Sequence, residues 1–315
     1  MISVKWDKNC CRENVEFPQG WAFFAFLKEG QALWCGYTAN LARRLDFVRR
    51  KAEEDNVYAE MSSQADTLKF SSCERAIDAL IRHKIHLQKQ HPQYQQALDA
   101  SSNYVYLALG ANRFPFVSVQ SHTNDDWTYL GPWRSRFFLV DVMDSLSRIL
   151  KIPFCEKESF PCEKLDSGRC RGWCLALEED ALEAEIPNLE KLDSLLKEAY
   201  LHPNNGILEM LGREKDKYFN SLEFEKADLL NDEYDNLARY RDWLNFLYVT
   251  KSLSFETDEL AVERGLLRWC RFQSEEYNFP IMDTQYRDNE KLALNLQDLD
   301  EARLIYEYHV KHHKG

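Results

Sequence analysis

Apolar and aromatic residues gather early in the chain into two short runs, Trp21–Leu27 and Ala32–Tyr37, parted by the turn Lys28-Glu29-Gly30. Aromatic-rich runs joined by a glycine turn predict a β-hairpin over residues 17–37. Residues 39–54 read as a helix with Asn40 as its N-cap. A polar loop leads to a short strand, "TLKF", at 67–70. Ala76, Ile77, Leu80, Ile81 and Ile85 then fall on one side of a helix predicted from about Cys73 to Lys89. Ser72 stands at its start and Pro92 beyond its end. Residues 1–100 are therefore expected to form a compact α/β (α+β) domain.

Beyond it, "YVYLALG", "FPFVSVQ" and "WTYLGP" predict three strands between 104 and 132, and "SRFFLVDVMDSLSRIL" predicts a helix over 135–150. A cysteine-rich loop occupies 153–174, giving a second segment over 101–178. From about 178 the chain turns acidic and helical, and 179–253 is expected to be a helical part. The tail, 254–315, is also expected to be mostly helical.

Hydrophobic residues make up 44% of the 315 and aromatics 13%, enough for a packed core and against global disorder. No apolar run reaches bilayer-crossing length, and the first residues lack the apolar segment of a signal peptide, so the expectation is a cytoplasmic protein with no membrane partner. The net charge of −12 is uneven. Residues 1–100 hold 14 basic and 13 acidic side chains, and the rest hold 26 and 39. Binding DNA largely means neutralising phosphates, so a DNA contact is expected in the first part. Arg43, Arg44, Arg49, Arg50 and Lys51 are its candidates; a solvated basic helix face is the alternative.

Of nine cysteines, Cys10, Cys11, Cys35, Cys73 and Cys270 are scattered and read as small, partly buried residues. Cys155, Cys162, Cys170 and Cys174 are clustered, with six, seven and three residues between them. Four thiolates that close suit one soft metal centre, zinc or an iron–sulfur cluster, and the spacing does not choose between them. A closed four-ligand site leaves no open position, so its expected role is structural. Four free thiols are the alternative.

In order along the chain, "GWAFFAFLKEGQALWCGYTANLARRL" (20–45), "QKQHPQYQ" (88–95), "TYLGPWRS" (128–135), the cysteine loop and "LEFEKADLLNDE" (222–233) resemble the N-terminal half of UvrC. UvrC is the incision subunit of bacterial nucleotide excision repair, and Cho is its shorter relative. The resemblance runs from about residue 17 to about 250. It implies a GIY-YIG-type N-terminal domain, a cysteine-cluster module and a mainly helical part with a UVR-like hairpin. The RNase H-like and helix-hairpin-helix segments of UvrC find no counterpart in these residues, which is closer to Cho.

The resemblance also implies roles. In GIY-YIG nucleases a tyrosine helps activate water, an arginine steadies the phosphate and a glutamate holds Mg2+. Trp34 stands at the second motif tyrosine. The first falls on Phe23 counted back from that motif, or on Ala22 counted from Gly20. Asn40, Leu41 and Arg44 match "N-L-x-x-R", so the arginine is kept. Tyr37 replaces a lysine, His83 falls at the glutamate and Gln95 at an asparagine. Phe and Trp carry no hydroxyl for proton transfer, and imidazole is a poor Mg2+ ligand. The expectation is a nuclease fold that has lost its cleavage chemistry. An active endonuclease with a remodelled site is one alternative, with His83 and His86 or His91 holding Mn2+ or Zn2+; Mg2+ or Mn2+ would be needed only if that site works. Another is an interaction protein outside repair. The resemblance further implies a 4Fe-4S cluster on Cys155, Cys162, Cys170 and Cys174, with zinc as the alternative. It implies DNA and a UvrB-like protein as partners, the latter docking on Phe224, Glu225, Ala227 and Asp232, with Asn231 where the family has arginine.

Overall fold

The computed structural model describes residues 1–6, 16–99, 104–124, 127–152, 162–174, 189–202, 205–280 and 292–313. They divide into two compact units of mixed α and β structure. One comprises Met1–Ser102, Ser252–Met282 and Leu296–Gly315; the other comprises Asn103–Lys251 and Asp283–Asn295.

The first unit opens with β1 (Ile2–Lys5), β2 (Gln19–Lys28), β3 (Gln31–Asn40), α1 (Leu41–Glu54), α2 (Asn56–Gln64), β4 (Thr67–Ser72), α3 (Ala76–Gln90) and α4 (Gln95–Asp99). Its antiparallel sheet has the order β1-β4-β2-β3, so β3 is an edge. Glu29 and Gly30 close the β2–β3 hairpin with φ of 51° and 84°. Two positive φ values in a two-residue turn match the right-handed twist of the strands. The non-glycine Glu29 is held there by its N–H, which donates to Asp66 Oδ2 at 2.6 Å. Strand alternation sends Ala22, Phe24, Phe26 and Trp34 to one face, where they bury against Leu41, Leu45 and Val48 of α1. Phe23, Ala25, Leu27 and Cys35 take the other face, with Ala79 of α3. The expected polar loop before β4 contains α2 instead: Asp55 caps it, accepting from Val57 N at 2.8 Å, and Met61 is buried.

The second unit begins with β5 (Val105–Leu109), β6 (Val117–Gln120), β7 (Thr128–Trp133), α5 (Arg136–Leu150), α6 (Glu163–Asp166), α7 (Leu189–Tyr200), α8 (Asn205–Asn220) and α9 (Phe224–Ser252). The next elements are β8 (Phe255–Glu256), β9 (Leu260–Glu263), β10 (Leu266–Phe272) and β11 (Glu275–Asn278), which return to the first unit. The two-residue strand β12 (Leu292–Ala293) lies parallel to β7 in a sheet of order β12-β7-β5-β6, and α10 (Leu299–His313) again belongs to the first unit.

The tail at 254–315 thus departs from the expected helix. It contains an antiparallel sheet, β11-β10-β9-β8, before α10. A register shift between Leu267 and Trp269 breaks the alternation, so buried Leu267 and Cys270 fall three residues apart. Turn residues Arg264 and Gly265, and Gln273 and Ser274, take positive φ. The apolar side of this sheet closes on Ile77, Leu80, Ile81 and Ile85 of α3 together with Leu304 and Ile305 of α10. Lys84 Nζ bridges to Glu301 Oε1 at 2.6 Å, and Glu301 also accepts from Leu267 N at 2.7 Å. One carboxylate therefore ties α3, α10 and β10.

Candidate functional site

β3 runs directly into α1. Asn40 Oδ1 accepts from Arg43 N at 3.0 Å and starts the helix. One turn later Arg44 lays its guanidinium 5.2 Å over Trp34 and 5.2 Å over Phe47. Trp34 is fully buried and stacks on Phe26 at 5.8 Å. Arg44 Nε is buried with no hydrogen-bond partner among the described residues. Phe23 pairs in register with Tyr37 and lies across the sheet from Trp34, 5.1 Å from His86. Ala22 shares the face of Trp34, so of the two counts for the first motif tyrosine only Ala22 falls on the same face as the second, though it pairs with Thr38 and not with Trp34. The structure joins Trp34 to Arg44, and Tyr37 to His83 at 5.3 Å, on opposite faces. The four candidate positions do not meet at one point.

His83 sits where the edge of β3 is sealed. Gln95 Oε1 accepts from Cys35 N at 3.1 Å and its Nε2 donates to Cys35 O at 3.0 Å. The carboxamide replaces the peptide of a missing neighbouring strand, which satisfies an otherwise open edge. Gln95 Nε2 also stands 3.4 Å from His83 Nε2. Burial, then the nearby Lys84 and His86 charges, pushes the His83 pKa down to about 3, and a hydrogen bond with the Cys35 backbone opposes this only in part. His83 is therefore neutral at pH 7. Burial and Lys69 also lower the His86 pKa, and His86 Nε2 is buried with no hydrogen-bond partner among the described residues. Neither is the solvated helix histidine that a Lys- and Gln-rich context suggests. His91, by contrast, is exposed at the left-handed C-cap of α3. Neither Asp78 nor Glu74 takes over: Asp78 pairs with the Arg75 guanidinium at 2.8 Å and accepts from Arg75 N at 3.1 Å, and Glu74 faces solvent.

The basic residues of α1 are partly spoken for. Arg49 pairs with Asp46 at 3.1 Å and lies 5.3 Å over Trp6, while Lys51 pairs with Glu54 at 2.9 Å. Arg43 and Arg50 are exposed and lie about two turns apart, on one outward side.

Cys155 lies outside the described residues. Cys162, Cys170 and Cys174 are each partly exposed in one short stretch around α6. Gly172 N donates to Cys170 Sγ at 3.2 Å. Trp173, 2% exposed, has its Nε1 buried without a hydrogen-bond partner among the described residues. The Gly172 N–H bond to Cys170 Sγ is of the kind that sulfur-ligated centres receive. Among the described residues no three His, Cys, Asp or Glu side chains are grouped to hold a metal ion.

Residues 205–252 form an antiparallel helix pair. Lys215 Nζ reaches Asn231 Oδ1 at 3.3 Å and lies 5.5 Å over the Tyr234 ring. At the turn, Phe219 meets Phe224 at 5.4 Å, and Leu222 takes φ of 61°. Phe219, Leu222, Phe224 and Leu229 are exposed by 59%, 74%, 49% and 67%, which leaves an apolar tip open to solvent. Glu225 and Asp232 are exposed beside it, whereas Ala227 is buried.

Among the described residues no helix is long and apolar enough to cross a membrane. No family model and no solved structure matches the chain. Curated proteins do. The UvrABC system protein C of Methanococcus maripaludis is 21% identical over 238 residues, 75% of this chain and 43% of the relative. That of Pseudomonas syringae pv. syringae is 25% identical over 224 residues, 69% and 36% respectively. That of Thermotoga maritima is 23% identical over 232 residues, 72% and 38%. The matched part of these relatives is thus less than half of their length.

Proposed function

We propose that this UvrC-like chain serves nucleotide excision repair as a GIY-YIG-type module without its cleavage chemistry, binding DNA and docking a UvrB-type partner. The observation that carries the reading is His83. At the position of the metal-binding glutamate stands a neutral, partly buried imidazole engaged by Gln95 and Cys35. Mg2+ asks for hard oxygen ligands, and this site offers an imidazole nitrogen instead. The motif positions Ala22, Phe23 and Trp34 carry no hydroxyl to move a proton. Arg44 is retained, but its guanidinium is committed to two aromatic faces. A remodelled metal site on His83 and His86 would need a third donor, and none is grouped with them among the described residues.

Arg43 and Arg50 supply phosphate contacts in this reading. The apolar tip with Phe224, Glu225 and Asp232 supplies the docking surface for a UvrB-type helical hairpin. Work on chromosomal DNA places the protein in the cytoplasm. Cys155, Cys162, Cys170 and Cys174 would hold a 4Fe-4S cluster that locks the loop around α6; iron and acid-labile sulfide in anaerobically purified protein support this, and stoichiometric zinc without iron contradicts it.

The deciding test is incision of a lesion-containing duplex in Mg2+ or Mn2+, with and without UvrB. The expected result is no cutting by the wild type, with DNA and UvrB retained and UvrB capture weakened by Phe224→Ala. Cutting that Arg44→Ala abolishes would instead mean a rebuilt, working nuclease.

A further inference from the structure

The passage from β7 into α5 carries four exposed residues in succession: Arg134, Ser135, Arg136 and Phe137. Phe137 is 84% exposed, more than any other large apolar side chain among the described residues. Among the described residues neither arginine has an ion-pair partner, whereas Arg148 of the same helix is bonded to Glu233. On α9, Arg239 adds a third guanidinium, 5.5 Å over the ring of Phe138, and its hydrogen bond goes to the uncharged amide of Asn236.

The base under this tip is rigid. Trp133 is 3% exposed and stacks on Tyr240 at 4.8 Å with the rings 3° from parallel. It also meets Phe138 and Trp243, each at 5.9 Å, and Trp243 Nε1 donates to the Pro132 carbonyl at 3.1 Å. Ser135 Oγ accepts from Phe138 N at 3.2 Å and fixes the turn. A single exposed phenylalanine on a surface needs no explanation. An exposed aromatic ring beside a packed aromatic base, on a turn that also carries two arginines without ion-pair partners among the described residues, has the chemistry of a single-strand contact: cations for phosphates, a ring face for a base.

We propose that Arg134, Arg136 and Phe137, flanked by Arg239, form a DNA-strand contact that takes an unstacked base of a distorted duplex. The inference rests on the repair reading above and adds a strand contact made by residues other than the arginines of α1.

The test uses the full chain and a fluorescein-labelled duplex with an unpaired bubble, read by anisotropy over a range of salt. Phe137→Ala is expected to weaken binding roughly tenfold, the scale of one lost base stack. Phe137→Trp is expected to keep binding and to show indole quenching. Arg134→Ala with Arg136→Ala is expected to lower the slope of log affinity on log salt by roughly one to two. All of these side chains are exposed, so circular dichroism should be unchanged. Wild-type binding that every variant retains would overturn the inference and leave the repair reading standing. Full tolerance of Phe137→Leu alongside a loss with Ala would overturn it in favour of an apolar protein contact. Failure of the wild type to bind any DNA would overturn both.

Discussion

At the scale of single residues, Gly36 and His83 show how little room the first unit leaves. A Cβ at Gly36 would stand 2.9 Å from Phe24 Cζ, inside a face where Phe24 is fully buried. Gly36→Ala should therefore cost roughly 1–3 kcal/mol by overpacking, read as a lower urea midpoint with an unchanged m-value; an unchanged midpoint would mean the ring can move aside. His83 makes stability depend on acid. Its folded pKa, about 3, lies below the ordinary 6.5, so the folded state prefers the neutral ring. That stability is fully present above pH 6.5 and is lost as pH falls towards 3. Between pH 6.5 and 5 the loss is about 2 kcal/mol from this group alone. His86 shifts in the same direction. Denaturant titrations at the two pH values should show the drop in wild type and a smaller one in His83→Gln; equal drops would assign the acid sensitivity elsewhere.

At the scale of elements, legibility followed the locality of the signal. The β2–β3 hairpin could be read because its turn and both strands lie within residues 19–40, and α1 because Asn40 caps it from the adjacent position. The apolar side of α3 was equally plain, but what covers it was not. Its cover is β8–β11 and α10, some of whose buried residues are offset by a bulge and whose partners lie far off in sequence. α2 was missed because its start depends on the Asp55 cap and its burial on Met61 and Ser62. The candidate site divides in the same way: Arg44 and the cysteine spacing were visible in the motif, whereas the partial burial of His83 and the clasp of Gln95 on Cys35 exist only once α4 lies along the edge of β3. Glu301 gives this scale its prediction. Removing its carboxylate leaves partly buried Lys84 and the Leu267 N–H without their partner. Glu301→Ala should destabilise by about 3 kcal/mol, well beyond a surface ion pair, and Glu301→Gln by less; similar, small losses for both would mean the bridge is solvated.

At the scale of the whole molecule, the two compact units have unlike claims on the chain. The second is mostly one stretch, Asn103–Lys251, while the first takes its residues from three. A chain ending at 251 keeps Trp21 and Tyr37 but lacks the buried residues from Leu253 to Ile305 that complete the cover of Ile77, Leu80, Ile81 and Ile85. Such a truncation should aggregate or be cleaved within α3 under limited proteolysis, while the full chain resists. A stable, soluble fragment 1–251 would show that the tail is dispensable to the first unit. The order of synthesis gives the same discontinuity another meaning. As the polypeptide leaves the ribosome, α3 emerges well before the strands that shelter it, which follow only after the whole of Asn103–Lys251. The middle of the protein can mature first, while the first part waits half-made. Any pause, nick or premature stop in that interval would leave a greasy helix in the open, where chaperones and proteases compete to find it.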